Sequence, residues 1–127
     1  MKDFQRSRVY AWERQEFEWD DSMMTLEQCQ RLVDEINNRF CIGGLLVTDG
    51  RRCRNALACY SSSKIKLPKW ARRKWVVLHE VSHFLAIGNK HGPDFVARYL
   101  DLLASYYKRD RDVLKASAMD SGVAVAY

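Results

Sequence analysis

The sequence has no long hydrophobic run, and no apolar stretch approaches the roughly 18 residues that a membrane-spanning helix needs. Its first residues are polar and charged rather than the apolar core of a secretory signal, so we expect a cytoplasmic protein with no membrane partner. Proline is scarce, at two residues, while 47% of the residues are hydrophobic, which excludes a wholly disordered chain. The length predicts a single domain over residues 1–127, with residues 121–127 as a tail.

The sequence also has no C-x-x-C pair among its four cysteines. In a reducing compartment such cysteines are most simply interpreted as buried thiols, rather than as disulfide partners or metal ligands. This expectation covers Cys29, Cys41, Cys53 and Cys59.

Acidic residues are absent from residues 51–74, which contain nine lysines and arginines; we call this stretch the basic segment. The formal net charge of the chain is +5, and the whole positive excess lies there, since residues 1–50 sum to −4 and residues 75–127 to zero. The preferred interpretation is a surface for an acidic substrate or partner, and nucleic acid is the second. An ordinary solvated surface is the alternative to both.

Helical spacing of apolar residues predicts most of the chain's secondary structure. Residues 4–19 favour a helix over a strand, and a capping box formed by Thr25 and Gln28 opens a helix over residues 25–39. A further helix is expected to begin with Pro68 as its first residue and to continue through Leu85, with Gly88 as the glycine that follows its end. Gly92-Pro93 restarts the chain into another helix, and a shorter one covers residues 110–118.

Short apolar and alternating stretches predict a small sheet in the middle of the chain. The expected strands cover residues 42–48, 52–60 and 64–67, and an Asp49-Gly50 turn signal follows the first. Their succession favours an antiparallel meander. The fold class is therefore α+β.

The three histidines of the chain lie within thirteen positions, and residues 79–83 read H-E-V-S-H, an H-E-x-x-H motif on the helix predicted from Pro68. On a helix His79 and His83 lie about 6 Å apart on one face, where both can ligate Zn²⁺. Glu80 is rotated about 100° from His79, so it can lie beside the metal as the general base without ligating it.

A catalytic zinc usually takes three protein ligands and leaves a fourth position to water. His91 is the favoured third ligand, because imidazole is a common third zinc ligand, and Gly88 with Gly92-Pro93 lets the chain reverse after His83. Asp94 is the alternative. Asp101 is either a hydrogen-bond partner for a ligating histidine or a solvated helix residue.

An oxyanion stabiliser is also expected at a hydrolytic site. Its candidates are Tyr60, Arg98 and Tyr99, which the sequence does not rank.

The H-E-V-S-H motif, followed after seven residues by H-G-P-D-F at 91–95, resembles the SprT-like branch of H-E-x-x-H zinc metallopeptidases. It is most similar to short metallohydrolases known from bacteria and their phages, and residues 5–10 and 25–26 share the likeness. The resemblance implies a minimal zincin fold, in which a small antiparallel or mixed sheet and a leading helix back the metal helix. By position it makes His79, His83 and His91 the zinc ligands and Glu80 the general base. It also implies that the segment before Pro68 is the sheet edge that binds an extended peptide.

These patterns predict a zinc-dependent metallopeptidase that acts on a peptide or protein substrate. One alternative keeps the zinc but changes the substrate to a non-peptide bond. The other is a binding module without catalysis, in which the basic segment contacts nucleic acid or an acidic partner and zinc stabilises the fold.

Overall fold

The computed structural model describes residues 3–127; residues 1 and 2, with which the predicted domain begins, lie outside the described residues. Across residues 3–127 the chain is α+β, as predicted, with five α-helices and one three-stranded sheet. The backbone divides into two compact units. The sheet unit is Asp21–Phe84, and the helical unit combines the residues up to Asp20 with Leu85–Tyr127.

In the helical unit, α1 spans Arg6–Phe17, which confirms the helix expected near the N-terminus. The sheet unit begins with α2, Leu26–Phe40, whose capping box is present in full. The Thr25 hydroxyl accepts from the Gln28 backbone N–H at 3.1 Å, and the Gln28 side chain accepts from the Thr25 N–H at 2.8 Å. The predicted helix start is therefore confirmed, because each side chain satisfies a backbone donor that the helix cannot.

The sheet unit contains a mixed sheet in the order β1-β3-β2, so the predicted antiparallel meander is wrong. Its strands are β1, Leu46–Asp49, β2, Leu57–Cys59, and β3, Lys64–Leu67. β1 pairs with β3 in parallel, and β2 pairs with β3 antiparallel. The strands predicted over 42–48 and 52–60 are shorter than expected, since residues 42–45 and 50–56 are irregular. That second irregular stretch lets the chain pass the end of β1 and place β2 on the far side of β3.

The motif helix, α3, spans Lys74–Leu85 and is preceded by a 3₁₀ turn over Lys69–Ala71, so the helix start predicted at Pro68 is wrong. Arg72 interrupts the helix with φ −82° and ψ 56°. Its carbonyl accepts from the Met24 N–H at 2.8 Å, and its guanidinium donates to the Leu67 carbonyl and to Asp49. These bonds replace the helical pattern at that residue. Gly88, at φ +86°, lies beyond the last helical residue in the left-handed region, as expected of a glycine that follows a helix end.

The helical unit continues with α4, Pro93–Tyr107, and α5, Arg111–Asp120. Pro93 occupies the first turn of α4, which confirms the predicted restart. The fully buried side chains of the helical unit include Trp12, Phe17 and Phe95. No helix among residues 3–127 is long and apolar enough to cross a bilayer.

The segment expected as a tail, residues 121–127, contains no helix or strand but is hydrogen-bonded within the helical unit. Val123 is 1% exposed, and the Ala126 N–H donates to the Pro93 carbonyl at 3.1 Å. These contacts hold the segment in place.

The four cysteines are free thiols, but only Cys29 is buried as expected. Burial raises the pKa of the Cys29 thiol, and the nearby Arg72 partly opposes the rise. Cys41 is exposed because it caps the end of α2 in the left-handed conformation, and Cys53 and Cys59 are half-buried.

Candidate metal centre

The motif side chains of α3 are buried in the sheet unit. His79, Glu80 and His83 are 5%, 6% and 9% exposed, and every residue from Trp75 to His83 is buried. The ring centroids of His79 and His83 lie 5.1 Å apart, as the i, i+4 spacing on a helix requires. Two imidazoles are thereby presented together in a site from which water is largely excluded.

Glu80 lies next to the first histidine of the motif. Its Oε2 is 3.8 Å from His79 Nε2, beyond hydrogen-bond distance. A carboxylate in this position can accept a proton from a water molecule held at the histidines.

His91 lies in the helical unit, in the loop that precedes α4. The loop contains Lys90 in the left-handed region at φ 58°, and the Gly92 N–H donates to the Asn89 carbonyl at 2.9 Å. The Asn89 side chain accepts from the Phe95 N–H at 3.0 Å and so satisfies a backbone donor in the first turn of α4, whose N-cap residue is Gly92. A Cβ on Gly92 would lie 2.6 Å from the Asn89 side-chain oxygen, so this tight turn requires glycine.

Two residues near the N-terminus hold His91 within the same unit. Asp3 Oδ2 lies 2.7 Å from His91 Nδ1, and Asp3 Oδ1 accepts from the His91 backbone N–H at 3.3 Å. The Gln5 amide donates to the His91 carbonyl at 2.7 Å. The rings of Tyr10 and Phe95 contact the imidazole edge to face, with centroids 5.2 and 5.1 Å away.

One ligand atom from each of His79, His83 and His91 lies within 4.8 Å of the other two. Asp94, the alternative third ligand, is exposed and is not a member of this group. The arrangement supplies three imidazole donors, a set that divalent transition metals bind.

Asp101 is engaged away from the histidines, since its carboxylate pairs with the Arg111 guanidinium. The carboxylate that bonds a histidine of this group is that of Asp3, a residue that no pattern in the sequence indicated. Asp3 and His91 are 88 positions apart, and no local spacing signal connects them.

The three candidates for oxyanion stabilisation have different surroundings. Tyr99 is fully buried, and its hydroxyl donates to Glu13 at 2.7 Å. Arg98 is exposed and stacks over the ring of Tyr127. Tyr60 is 44% exposed, and its ring lies 5.2 Å from that of Phe84, the residue after His83.

Tyr60 is also the candidate that the motif helix influences electrostatically. Burial, and secondly the negative charge of Glu80, raise the pKa of the Tyr60 hydroxyl. The hydroxyl is therefore neutral at physiological pH and able to donate a hydrogen bond.

The sheet edge implied by the resemblance is not where it was expected. β3, the segment directly before Pro68, is the central strand and is paired on both sides, so that assignment is wrong. The strands at the edges are β1 and β2. Gln30 covers part of β1 by donating to the Leu45 carbonyl and accepting from the Val47 N–H, at 2.9 and 2.7 Å. β2 leads directly into Tyr60.

Comparison of the chain with protein-family models, with curated proteins and with solved structures found no match. The likeness to SprT-like metallopeptidases therefore rests on the sequence pattern alone.

Proposed function

We propose that the chain is a zinc-dependent metallopeptidase in which His79, His83 and His91 hold the ion and Glu80 is the general base. The observation that carries the proposal is the grouping of three ligand atoms within 4.8 Å, with a buried carboxylate adjacent to the first of them. A purely structural zinc site more often has four protein ligands, whereas three ligands with a neighbouring glutamate are typical of catalytic sites.

The donor set fits zinc in number, chemistry and spacing. Zn–N distances of about 2.0–2.1 Å at a tetrahedral angle place two ligating nitrogens about 3.4 Å apart. The separations here, at most 4.8 Å, can close to that value by side-chain rotation. Three neutral imidazoles also leave the ion its full positive charge.

His79, His83 and His91 would hold a zinc ion that would act as a Lewis acid toward water and a carbonyl oxygen. Glu80 accepts a proton from the attacking water and passes it to the leaving amine, so that the carboxylate ends the reaction ionised, as it began. Burial of His79, Glu80 and His83 excludes competing solvent and strengthens the electrostatic interactions among them.

Tyr60 is the proposed donor to the oxyanion that forms at the carbonyl. It is supported by its neutral hydroxyl and by its ring contact with Phe84 on the motif helix. The hydrogen bond of Tyr99 to Glu13 and the exposure of Arg98 make those two residues weaker candidates.

We place the substrate along β2, where an extended peptide can add a strand to the sheet. β2 lies within the basic segment, and its neighbour β3 carries Lys64 and Lys66 on one face. Positive charge beside this edge favours acidic peptides.

The test is the peptidase profile of the zinc-loaded wild type and of Glu80→Gln on a peptide library that includes acidic sequences. The variant is expected to keep its zinc and to lose at least about a hundredfold in turnover, because the amide cannot take the proton. Peptides cleaved by the wild type are expected to be enriched in aspartate and glutamate.

Asp94→Asn is the matched control, since it removes an exposed carboxylate near the third histidine and is expected to leave turnover unchanged. Equal turnover in Glu80→Gln and the wild type would refute the assigned base. Full zinc content with no cleavage, together with salt-sensitive binding of DNA, would favour the binding module instead.

A further inference from the structure

His91, the third histidine, is hydrogen-bonded both through its backbone and through its ring. Asp3 bonds both its Nδ1 and its backbone N–H, and Gln5 bonds its carbonyl. Gln5 also donates to the Ala124 carbonyl at 3.1 Å and accepts from the Ala124 N–H at 3.0 Å. The start of the chain, the His91 loop and the C-terminal segment are thereby joined through two side chains.

The Asp3 contact has a chemical consequence for the imidazole. A carboxylate accepts hydrogen bonds, so the nitrogen 2.7 Å from Asp3 Oδ2 must carry the proton. The proton on Nδ1 leaves the lone pair on Nε2, and Nε2 is then the only nitrogen of His91 able to ligate a metal. A carboxylate behind a ligating histidine also orients the ring and makes it a stronger donor.

We infer that Asp3 is a positioning residue that fixes the Nδ1–H tautomer of His91 and so presents Nε2 to the metal. The inference rests on the proposed zinc site and adds to it a residue outside the motif. Burial supports this role, because the His91 side chain is 9% exposed and that of Asp3 is 22% exposed, so water competes little for the bond.

The packing of the ring agrees with the same role. Tyr10 and Phe95 contact the imidazole edge to face and restrict its rotation about χ2. Ring contacts of this kind select neither nitrogen, whereas the Asp3 carboxylate bonds Nδ1 directly. Gln5 fixes the position of the loop and not the protonation of the ring, because its bond goes to the backbone carbonyl.

The first experiment measures zinc affinity by competition with a chromophoric chelator in the full-length wild type, Asp3→Ala and Asp3→Asn. Asp3→Ala is expected to bind zinc about 10- to 100-fold more weakly, and Asp3→Asn is expected to fall between it and the wild type. Asp101→Ala is the matched control: it removes a carboxylate of the same unit that pairs with Arg111, and its zinc affinity is expected to equal that of the wild type.

The second experiment reads the tautomer directly in the metal-free wild type, from the ¹⁵N chemical shifts of His91 in long-range ¹H–¹⁵N spectra. A protonated Nδ1 and an unprotonated Nε2 are expected, with loss of this preference in Asp3→Ala. This measurement needs no variant to fold, and a wild-type His91 protonated on Nε2 would overturn the inference.

The two sets of results separate the inference from the proposed function. If the wild type binds zinc and Asp3→Ala binds it equally well, the inference fails and the zinc site stands. If Asp3→Ala weakens zinc binding but the wild type cleaves no peptide, Asp3 positions a metal ligand and the peptidase assignment fails.

Discussion

Tyr60 keeps its proton at alkaline pH, because burial and then the Glu80 carboxylate raise the pKa of its hydroxyl. An ordinary tyrosine begins to ionise near pH 10, and between that value and its raised pKa the folded chain binds a proton that the unfolded chain has lost. By linkage the contribution of Tyr60 to stability is therefore present below pH 10 and is lost as the pH rises through its folded-state pKa. At neutral pH the hydroxyl is a donor.

Replacing Tyr60 by phenylalanine removes that donor while keeping the ring that contacts Phe84. We expect turnover to fall about a hundredfold, the lower end of the usual effect for an oxyanion donor, because Tyr60 is 44% exposed. Zinc content is expected to stay unchanged. Steady-state kinetics on a cleaved peptide measures the loss.

Tyr107→Phe is the control for this prediction, because the Tyr107 hydroxyl bonds Asp20 in the helical unit. Its turnover is expected to match that of the wild type. Should Tyr60→Phe also match the wild type, Tyr60 has no part in catalysis.

The residues of the motif could be proposed from the sequence because their chemistry depends on local spacing. His79 and His83 are one helical turn apart, and any helix places them on one face. Asp3 could not be found in this way, because its partner is fixed by tertiary packing across 88 positions. Asp101, the candidate on the helix that follows His91, forms an ion pair with Arg111 instead.

At the scale of elements, α4 and the loop before it determine where the third histidine lies. The Asn89 side chain accepts from the Phe95 N–H in the first turn of α4, and the same loop carries His91. Asn89→Ala is expected to lower the free energy of unfolding by about 1 kcal/mol, the usual cost of losing a side-chain acceptor for a first-turn N–H. Urea denaturation of the metal-free protein measures the change.

Asn89→Asp is the matched variant, since aspartate keeps the acceptor and adds a charge that the helix N-terminus favours. We expect it to retain nearly all of the stability. If both variants equal the wild type, the hydrogen bond to Phe95 contributes nothing measurable to α4.

Helix starts could be predicted where local chemistry favours them. Thr25 and Gln28 satisfy backbone donors of α2, and Pro93 lacks the N–H that the first turn of α4 would leave unpaired. Strand pairing could not, because the partner of each strand is set by contacts between distant residues. β3 lies between β1 and β2, so β1 and β2, which are successive in the sequence, are not neighbours in the sheet. β1 pairs with β3 in parallel. The start of α3 was missed for the same reason, since the bonds that redirect Arg72 come from Met24, Asp49 and Leu67.

At the scale of the whole molecule, the net charge of +5 comes from a single stretch of the chain. Part of that charge is matched within the sheet unit, where Asp49 pairs with Arg51 and Arg72 at 3.4 and 3.0 Å. The pair with Arg51 is exposed and adds little stability. Lys64 and Lys66 lie on β3, the strand beside β2, and we propose that their charge acts on substrate preference rather than on folding.

Whether the chain holds a metal at its three histidines is the claim on which the function and the role of Asp3 both depend. A ligand that binds only the folded chain stabilises it, and a bound zinc is expected to raise the melting temperature and chelation to lower it. Melting reports the presence of a metal but not its ligands. The ligands are identified by comparing variants.

The most direct measurement is the number of zinc ions bound per chain, after equilibrium dialysis and elemental analysis, in the wild type, His91→Ala and Asp94→Ala. We expect one zinc per chain in the wild type and in Asp94→Ala, and clearly less than one in His91→Ala. No bound zinc in the wild type, or a full zinc in His91→Ala with none in Asp94→Ala, would contradict this expectation.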